Sequence, residues 1–365
     1  LALHNFLKFR PFALKLFRIY EERLYMDIKF KFSKIAYAAT SLWVKLFRKD
    51  FANFFPGKIA LKFDDHLISK LKEDKVDKSI VIAGTNGKTT TTNLTANLLE
   101  SQDISVICNR IGANLDSGVA VALKEGEKSE WGIILTNLFP DQIDRFGSIS
   151  RIQENIIHAL RRTPKSCIIY NGDDPNCQYI LDHVENERIS FGAEGEAPKS
   201  RGNFMHTELC PECGEILEYS EISYDQLGTF SCRACSFKSH PVDFLAKDIK
   251  FTKNDVNTFS VYSRKLKRNQ FKIRSKFDGM YMVYNFTAIC AFAAQLDIKA
   301  DAINKAIENF ASGSGRYESF EIGGKTVFTN LAKNPAGFNQ NLGMLREKLA
   351  HSKKKISAVF FINNN

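Results

Sequence analysis

The sequence predicts an α/β protein: a mostly parallel sheet carrying a phosphate-type loop, a four-cysteine insert, and the start of a further α/β domain. Three observations carry this expectation. From Lys78 onward, apolar strand-like runs alternate with helical stretches, the pattern of a parallel sheet covered on both faces. In "IAGTNGKTTTT", residues 82–92, glycines stand between a strand and a helix. Four cysteines form two C-x2-C pairs, Cys210 with Cys213 and Cys232 with Cys235.

Taken in order, residues 1–77 form a basic helical segment. Its first residue is Leu1 and its first methionine Met26, so the start is expected at one or the other. Residues 28–55 are rich in Lys, Arg, Phe and Leu and include Trp43. They read either as helix packed on the body with a solvated basic face, or as a segment adhering to an anionic membrane surface. A central domain follows over residues 78–312. "SIVIAG" is a buried strand and "KTTTTNLTANLLE" a helix; "ISVIC" is a strand and "LDSGVAVALK" a helix. "WGIILTNL" is a strand, "SRIQENIIHALRR" a helix, and "SCIIYNGDD" and "RISFG" are strands. The cysteine-bearing insert spans about 204–240. Residues 242–275 read as antiparallel strands, and "MVYNFTAICAFAAQL" and "DAINKAIENF" as helices. After the Gly/Ser linker "ASGSGR", residues 313–365 open a C-terminal α/β domain with the strand "KTVFTNL". Its end, "KKKISAVFFINNN", starts as a core strand would and stops, so the chain is expected to be cut at both ends.

Composition excludes several classes. With 44% hydrophobic and 25% charged residues, the chain is neither disordered nor fibrous. No run of about 18 apolar residues free of charge occurs, which argues against a membrane-spanning helix. The net charge of +10 is concentrated: residues 1–60 hold 12 Lys/Arg against 4 Asp/Glu, or +8. The body therefore gives no electrostatic case for a nucleic-acid partner. Cys108, Cys167, Cys177 and Cys290 are scattered through apolar runs and read as thiols of a reducing cytoplasm.

The loop is built for an anion. Gly84 and Gly87 let backbone N–H groups approach phosphate, with Thr85 and Asn86 between them. Lys88 adds positive charge, Thr89 offers a hydroxyl to Mg2+, and Thr90 continues the helix. The spacing is a shortened G-x-x-G-K-T, since Ile82 stands where the longer motif has glycine. The four cysteines, C-x2-C-x18-C-x2-C, give a closed tetrahedral zinc site with no open position, hence a structural one. His206 and His240 lie close by but are not needed. The acidic surroundings, "PECGEILEYSE", oppose a nucleic-acid role for such a ribbon.

"GTNGKTTT" resembles the ATP loop of Mur ligases and folylpolyglutamate synthases. "NRIGANL", "LTNLFPDQIDRFG", "NGDDP", the four-cysteine insert, "YNFTAICAFAA" and "GRYESFEIGGKTVFTNLAKNPAGFNQNL" are similar to one branch, the MurT-type subunits of lipid II isoglutaminyl synthase. Gln142, where other Mur ligases usually have His, fits that branch. The resemblance covers about 34–365 and implies a Mur ligase central domain. It further implies ATP-dependent activation of the D-glutamate α-carboxyl of lipid II as an acyl phosphate. Ammonia from a GatD-type glutaminase in a heterodimer then gives D-isoglutamine. ATP, Mg2+ and structural Zn2+ are the implied cofactors, and the cytoplasm, at the inner face of the membrane, the implied place. Asn285 is implied at the adenine and Arg316 at the phosphates, with Asn330 and Lys333 near the nucleotide. No nucleic-acid partner is implied.

Three departures from the branch stand out. Between Lys124 and Trp131 one strand–helix unit with an acidic strand end is missing; Glu125, Glu127 and Glu130 lie in the connector. Met282 replaces an expected Asn. The acidic segment expected to hold a catalytic carboxylate lies beyond Asn365, so no catalytic residue is assigned and the chain is expected to be inactive as written. The alternatives are a degenerate homologue that binds ATP or a partner without turnover, and a folate-type ligase, which the cysteine insert disfavours.

Overall fold

The computed structural model describes residues 25, 27–47, 55–67, 70–71, 80–108, 133–135, 148–197, 208–252, 256–264, 270–310, 316–330, 332, 337–339 and 341–342. The chain divides into two units, one of Leu1–Ser79 with Asp103–Trp131, the other of Ile80–Gln102 with Gly132–Asn365.

The described part of the first unit is helical. Helix α1 covers residues 27–47 and buries Ser33, Tyr37 and Val44. Helix α2, Phe55–Phe63, buries Pro56, Gly57 and Ala60. Tyr37, Ala60, Leu67 and Leu71 make a small core. Ile107 packs against that cluster. This explains a correction: the predicted strand "ISVIC" forms no strand, because its apolar side chain is satisfied by helices instead of a ladder.

The second unit is built on a seven-stranded sheet ordered β1-β2-β3-β4-β7-β8-β9. Its elements run β1 (Val81–Ala83), α3 (Lys88–Glu100), β2 (Ile133–Leu135), α4 (Ile149–Arg161), β3 (Ile168–Asn171), α5 (Pro175–Asp182) and β4 (Arg188–Ala193). An inserted hairpin follows, β5 (Leu217–Tyr224) and β6 (Leu227–Cys232). Then come β7 (Phe244–Lys250), β8 (Asn257–Ser263), β9 (Gln270–Ser275), α6 (Met280–Ala294) and α7 (Ala300–Glu308). A last hairpin is β10 (Arg316–Ile322) and β11 (Lys325–Asn330). Strands β1, β2, β3, β4 and β7 pair in parallel, and β7, β8 and β9 pair antiparallel, as the patterning predicts.

Alternation along β3 sorts the layers. All four of its residues are buried. Ile168 and Tyr170 join Ile157 and Leu160 of α4 and Cys177, Ile180 and Leu181 of α5. The intervening residues point to the other face, which is covered by α6, packed on β3, β4 and β7. Helix α6 is apolar all round, and every residue from Met282 to Ala293 is buried. Such a helix is stable only inside the protein. Helix α4 starts where Ser148 accepts from the Arg151 N–H at 3.2 Å. The sequence predicts β1 as a buried strand, yet Val81 is 54% exposed. Among the described residues β1 pairs with β2, in parallel.

Candidate functional site

The glycine loop connects β1 to the N-terminus of α3. Gly84 has φ 138° and Gly87 φ 83°, both in the region that side chains avoid. Gly87 is the N-cap residue of α3, and its carbonyl accepts from the Thr91 N–H at 2.8 Å. No side chain caps this helix and no acidic residue lies in its first turn. A Cβ at Gly87 would stand 2.3 Å from Asn285 Oδ1. The turn must therefore be glycine for two reasons, conformation and the close approach of α6. The Lys88 ammonium donates to the carbonyl oxygens of Gly84 at 2.5 Å and Thr85 at 2.7 Å. That fixes a positive charge at the loop. Thr85, Asn86, Lys88, Thr89 and Thr90 are half-buried, while Thr91, Leu94 and Thr95 face the core. Backbone N–H groups at a helix start plus a held ammonium form an anion cradle.

Asn285 is brought to this loop from the centre of α6. Its side chain is buried; Oδ1 accepts from the Thr91 hydroxyl at 3.5 Å, and Nδ2 donates to Met282 Sδ at 3.8 Å. It therefore touches the helix start behind the glycine loop, a position that sequence spacing gives no hint of. Arg316 opens β10 and Asn330 closes β11, with their backbones paired to each other. Lys333, Gln142, Glu125, Glu127 and Glu130, and the predicted helix "LDSGVAVALK", lie outside the described residues, as does His206.

The second site lies in the insert. The sulfurs of Cys210, Cys213, Cys232 and Cys235 all lie within 4.8 Å of one another. Cys210–Cys235 is 3.7 Å and Cys213–Cys232 3.5 Å, far longer than a disulfide. A tetrahedral ion with zinc–sulfur bonds of about 2.3 Å sets its sulfurs about 3.8 Å apart, so the four thiols fit zinc. Two tight turns present them. Gly214, at φ 81°, donates to Cys210 O at 2.8 Å. Cys232 N–H donates to Phe237 O at 2.9 Å. Beneath the cluster Cys210, Leu217, Phe230 and Phe237 form a small core, with the two phenylalanine rings stacked at 5.4 Å. His240 is exposed and outside the cluster.

The sequence gives "NGDDP" no structural role, but here it seats the insert. Gly228 N–H donates to Asp173 O at 3.0 Å, and Gln226 Nε2 to Asp174 Oδ1 at 3.1 Å. Asn176 Nδ2 donates to Glu208 at 3.2 Å. Asp173 Oδ2 accepts from the Tyr284 hydroxyl at 2.6 Å and the Ala193 N–H at 2.8 Å. Burial pushes the Asp173 carboxyl up to about 7, against the pull of those two donors. Burial, aided by the Asp174 charge, also raises Glu208 to about 7. The signal that could have flagged this seat is the paired acid beside a buried strand end; its partners lie 20 to 111 positions away.

No family model matches the chain. It is similar to the MurT subunit of lipid II isoglutaminyl synthase (glutamine-hydrolyzing) from Streptococcus pneumoniae R6, 30% identical over 80% of this chain and 68% of the relative. The same subunit from Staphylococcus aureus COL is 31% identical over 79% and 68%. Among solved structures, a pseudomurein peptide ligase type C from Methanothermus fervidus superposes with TM-score 0.58 at 23% identity, covering 75% of this chain. The chain spans 58% of that structure's length. The fold is thus that of the Mur ligases, and the chain belongs to the family of MurT, the subunit of lipid II isoglutaminyl synthase.

Proposed function

We propose that the chain is an ATP-dependent ligase subunit that amidates the α-carboxyl of D-glutamate in the lipid II stem peptide. In this reading the carboxylate takes the terminal phosphoryl group of ATP, releasing ADP. Ammonia from a glutaminase partner then displaces phosphate and leaves the D-isoglutamine amide. The observation that carries the reading is the loop Gly84–Thr90: two positive-φ glycines, an uncapped helix start and the held Lys88 charge, in a chain of this family. A phosphoryl group in transfer spreads charge over its oxygens, and fixed donors and cations stabilise it. Thr89 would offer its hydroxyl to Mg2+, and Arg316 and Lys333 would approach the nucleotide from the C-terminal side. The four cysteines would hold a structural zinc. A GatD-type partner and a place at the inner face of the membrane belong to the same reading.

A second reading is nucleotide binding without turnover. One observation favours it: the strand–helix unit whose acidic end the related ligases carry is missing from the sequence between Lys124 and Trp131. The chain mixed with a glutaminase partner, glutamine, Mg-ATP and lipid II separates the two. Mass detection of an amidated stem peptide supports the first. ATP binding by calorimetry with no amide supports the second, and absence of both removes the nucleotide site.

A further inference from the structure

Helix α1 has two apolar faces. One, with Tyr37 and Val44, is buried in the first unit's core. The other carries Ile28, Phe32, Ile35, Leu42, Trp43 and Leu46, all large and 44–67% exposed. At 3.6 residues per turn these six fall within an arc of about 100°, opposite the buried face. Because the buried face docks the helix, the outer face has no way to turn inward. Contiguous exposed apolar surface of this kind marks a contact with something else.

The flanking charges identify the occupant. Residues 27–47 contain four lysines, Lys29, Lys31, Lys34 and Lys45, and a single acid, Asp27. A seam made for a second helix pairs charges of opposite sign along its edges. Edges of one positive sign repel a copy of themselves and match anionic headgroups. Trp43, half-exposed within the apolar arc, is the side chain most at home where hydrocarbon meets headgroup. No described helix is long and apolar enough to cross a membrane, which leaves lying on the surface as the mode of contact.

We infer that the outer face of α1 is a docking surface for an anionic lipid bilayer, with Phe32, Ile35, Trp43 and Leu46 entering the headgroup boundary and Lys31 and Lys34 holding it by charge. The lipid-linked substrate of the reading above gives this contact its use. The face itself stands on geometry and charge.

The test uses the full chain with vesicles of phosphatidylcholine alone and of phosphatidylcholine mixed with phosphatidylglycerol. The chain has two tryptophans, so Trp131→Phe leaves Trp43 as sole reporter. Co-flotation with mixed vesicles and a blue-shifted Trp43 emission are expected, both weakened by salt as the Debye length shrinks. Phe32→Ser with Leu46→Ser should lower the vesicle partition at least about tenfold, since two large apolar contacts are lost. Lys31→Glu with Lys34→Glu should lower it for mixed vesicles by a similar factor of about ten. The exposed Ile322→Ser should leave it unchanged. Mg-ATP affinity should be equal in all variants, so a failed nucleotide site and a failed lipid face give different results. Unaltered flotation in both double variants overturns the proposal. So does a concentration-dependent dimer without vesicle binding, which would assign the face to a second copy. If the serine variant does not fold, the charge variant and the Trp43 emission of the unaltered face still decide.

Discussion

At the residue scale, the decisive groups are ones that a solvent-facing description would pass over. Among the described residues no cation stands beside Asp173, an acid held in the interior by Tyr284 and the Ala193 N–H. Glu221 and Asp174 add negative charge close to it, and Gly192 leaves the space it occupies. Its folded pKa, about 7, lies above the unfolded carboxylate value, so between roughly pH 4 and 7 the folded state binds the extra proton. The stability this contributes is fully present below the unfolded pKa and is lost as pH rises through about 7. Glu208 acts in the same direction. Urea unfolding at pH 5 and pH 8 should therefore show the second unit weaker at pH 8 by roughly 1–3 kcal/mol. In Asp173→Asn, which keeps an acceptor for Tyr284 but cannot ionise, the difference should shrink to the share left by Glu208. Equal pH dependence in both proteins would mean that Asp173 is ionised throughout.

At the element scale, the insert is held by two independent devices, the sulfur cluster at one end and the acid seat at the other. Removing the metal should therefore melt part of the element and not the sheet. Cys213 is the informative position, because it is exposed while Cys210 is buried in the small core. Cys213→Ser should lose the single zinc and speed amide exchange across the two turns of residues 210–237. Amides of β3 and β4 should keep their protection. A full zinc complement in the variant would sink the assignment. How well each element could be read follows from where its information sits. The cysteine spacing, the glycine loop, α3, α4 and α6 are written in local periodicity and turn residues, so they were legible. Helix α5 was not, because its eight residues begin directly at Pro175 and merge with the strand signal of "SCIIYNGDD". "ISVIC" reads as a strand because periodicity cannot tell which neighbour will cover an apolar run. The buried reading of β1 failed for the same reason. The contact of Asn285 with Gly87, and of Tyr284 with Asp173, joins positions far apart in the chain, which no local pattern encodes.

At the scale of the molecule, charge and chemistry sit in different units. The excess of +8 lies within the first 60 residues, which belong to the first unit, while the loop and the cysteine cluster belong to the second. If lipid contact and phosphoryl transfer are separate duties, variants of each should fail differently. A surface contact acts by raising the local concentration of a lipid-linked substrate, an effect on binding and not on the barrier. Phe32→Ser with Leu46→Ser should raise the KM for lipid II in anionic vesicles by about tenfold and leave kcat unchanged, because an interaction made equally in ground and transition states moves KM alone. In detergent micelles, where no bilayer surface is offered, the same variant should match the parent. Lys88→Ala should do the opposite. In the proposed reaction it removes a charge placed where the transferring phosphoryl group develops its own, a loss commonly of about 10²–10³ in kcat, and should do so alike in vesicles and micelles. It should remain folded, since Lys88 is half-buried at the loop, where its ammonium donates to the carbonyls of Gly84 and Thr85. Kinetics in the two media, each with a glutaminase partner and Mg-ATP, measure all four outcomes. An α1 variant that lowers kcat in micelles would place that helix in the chemistry, and a Lys88 variant with unchanged kcat would remove the loop from it.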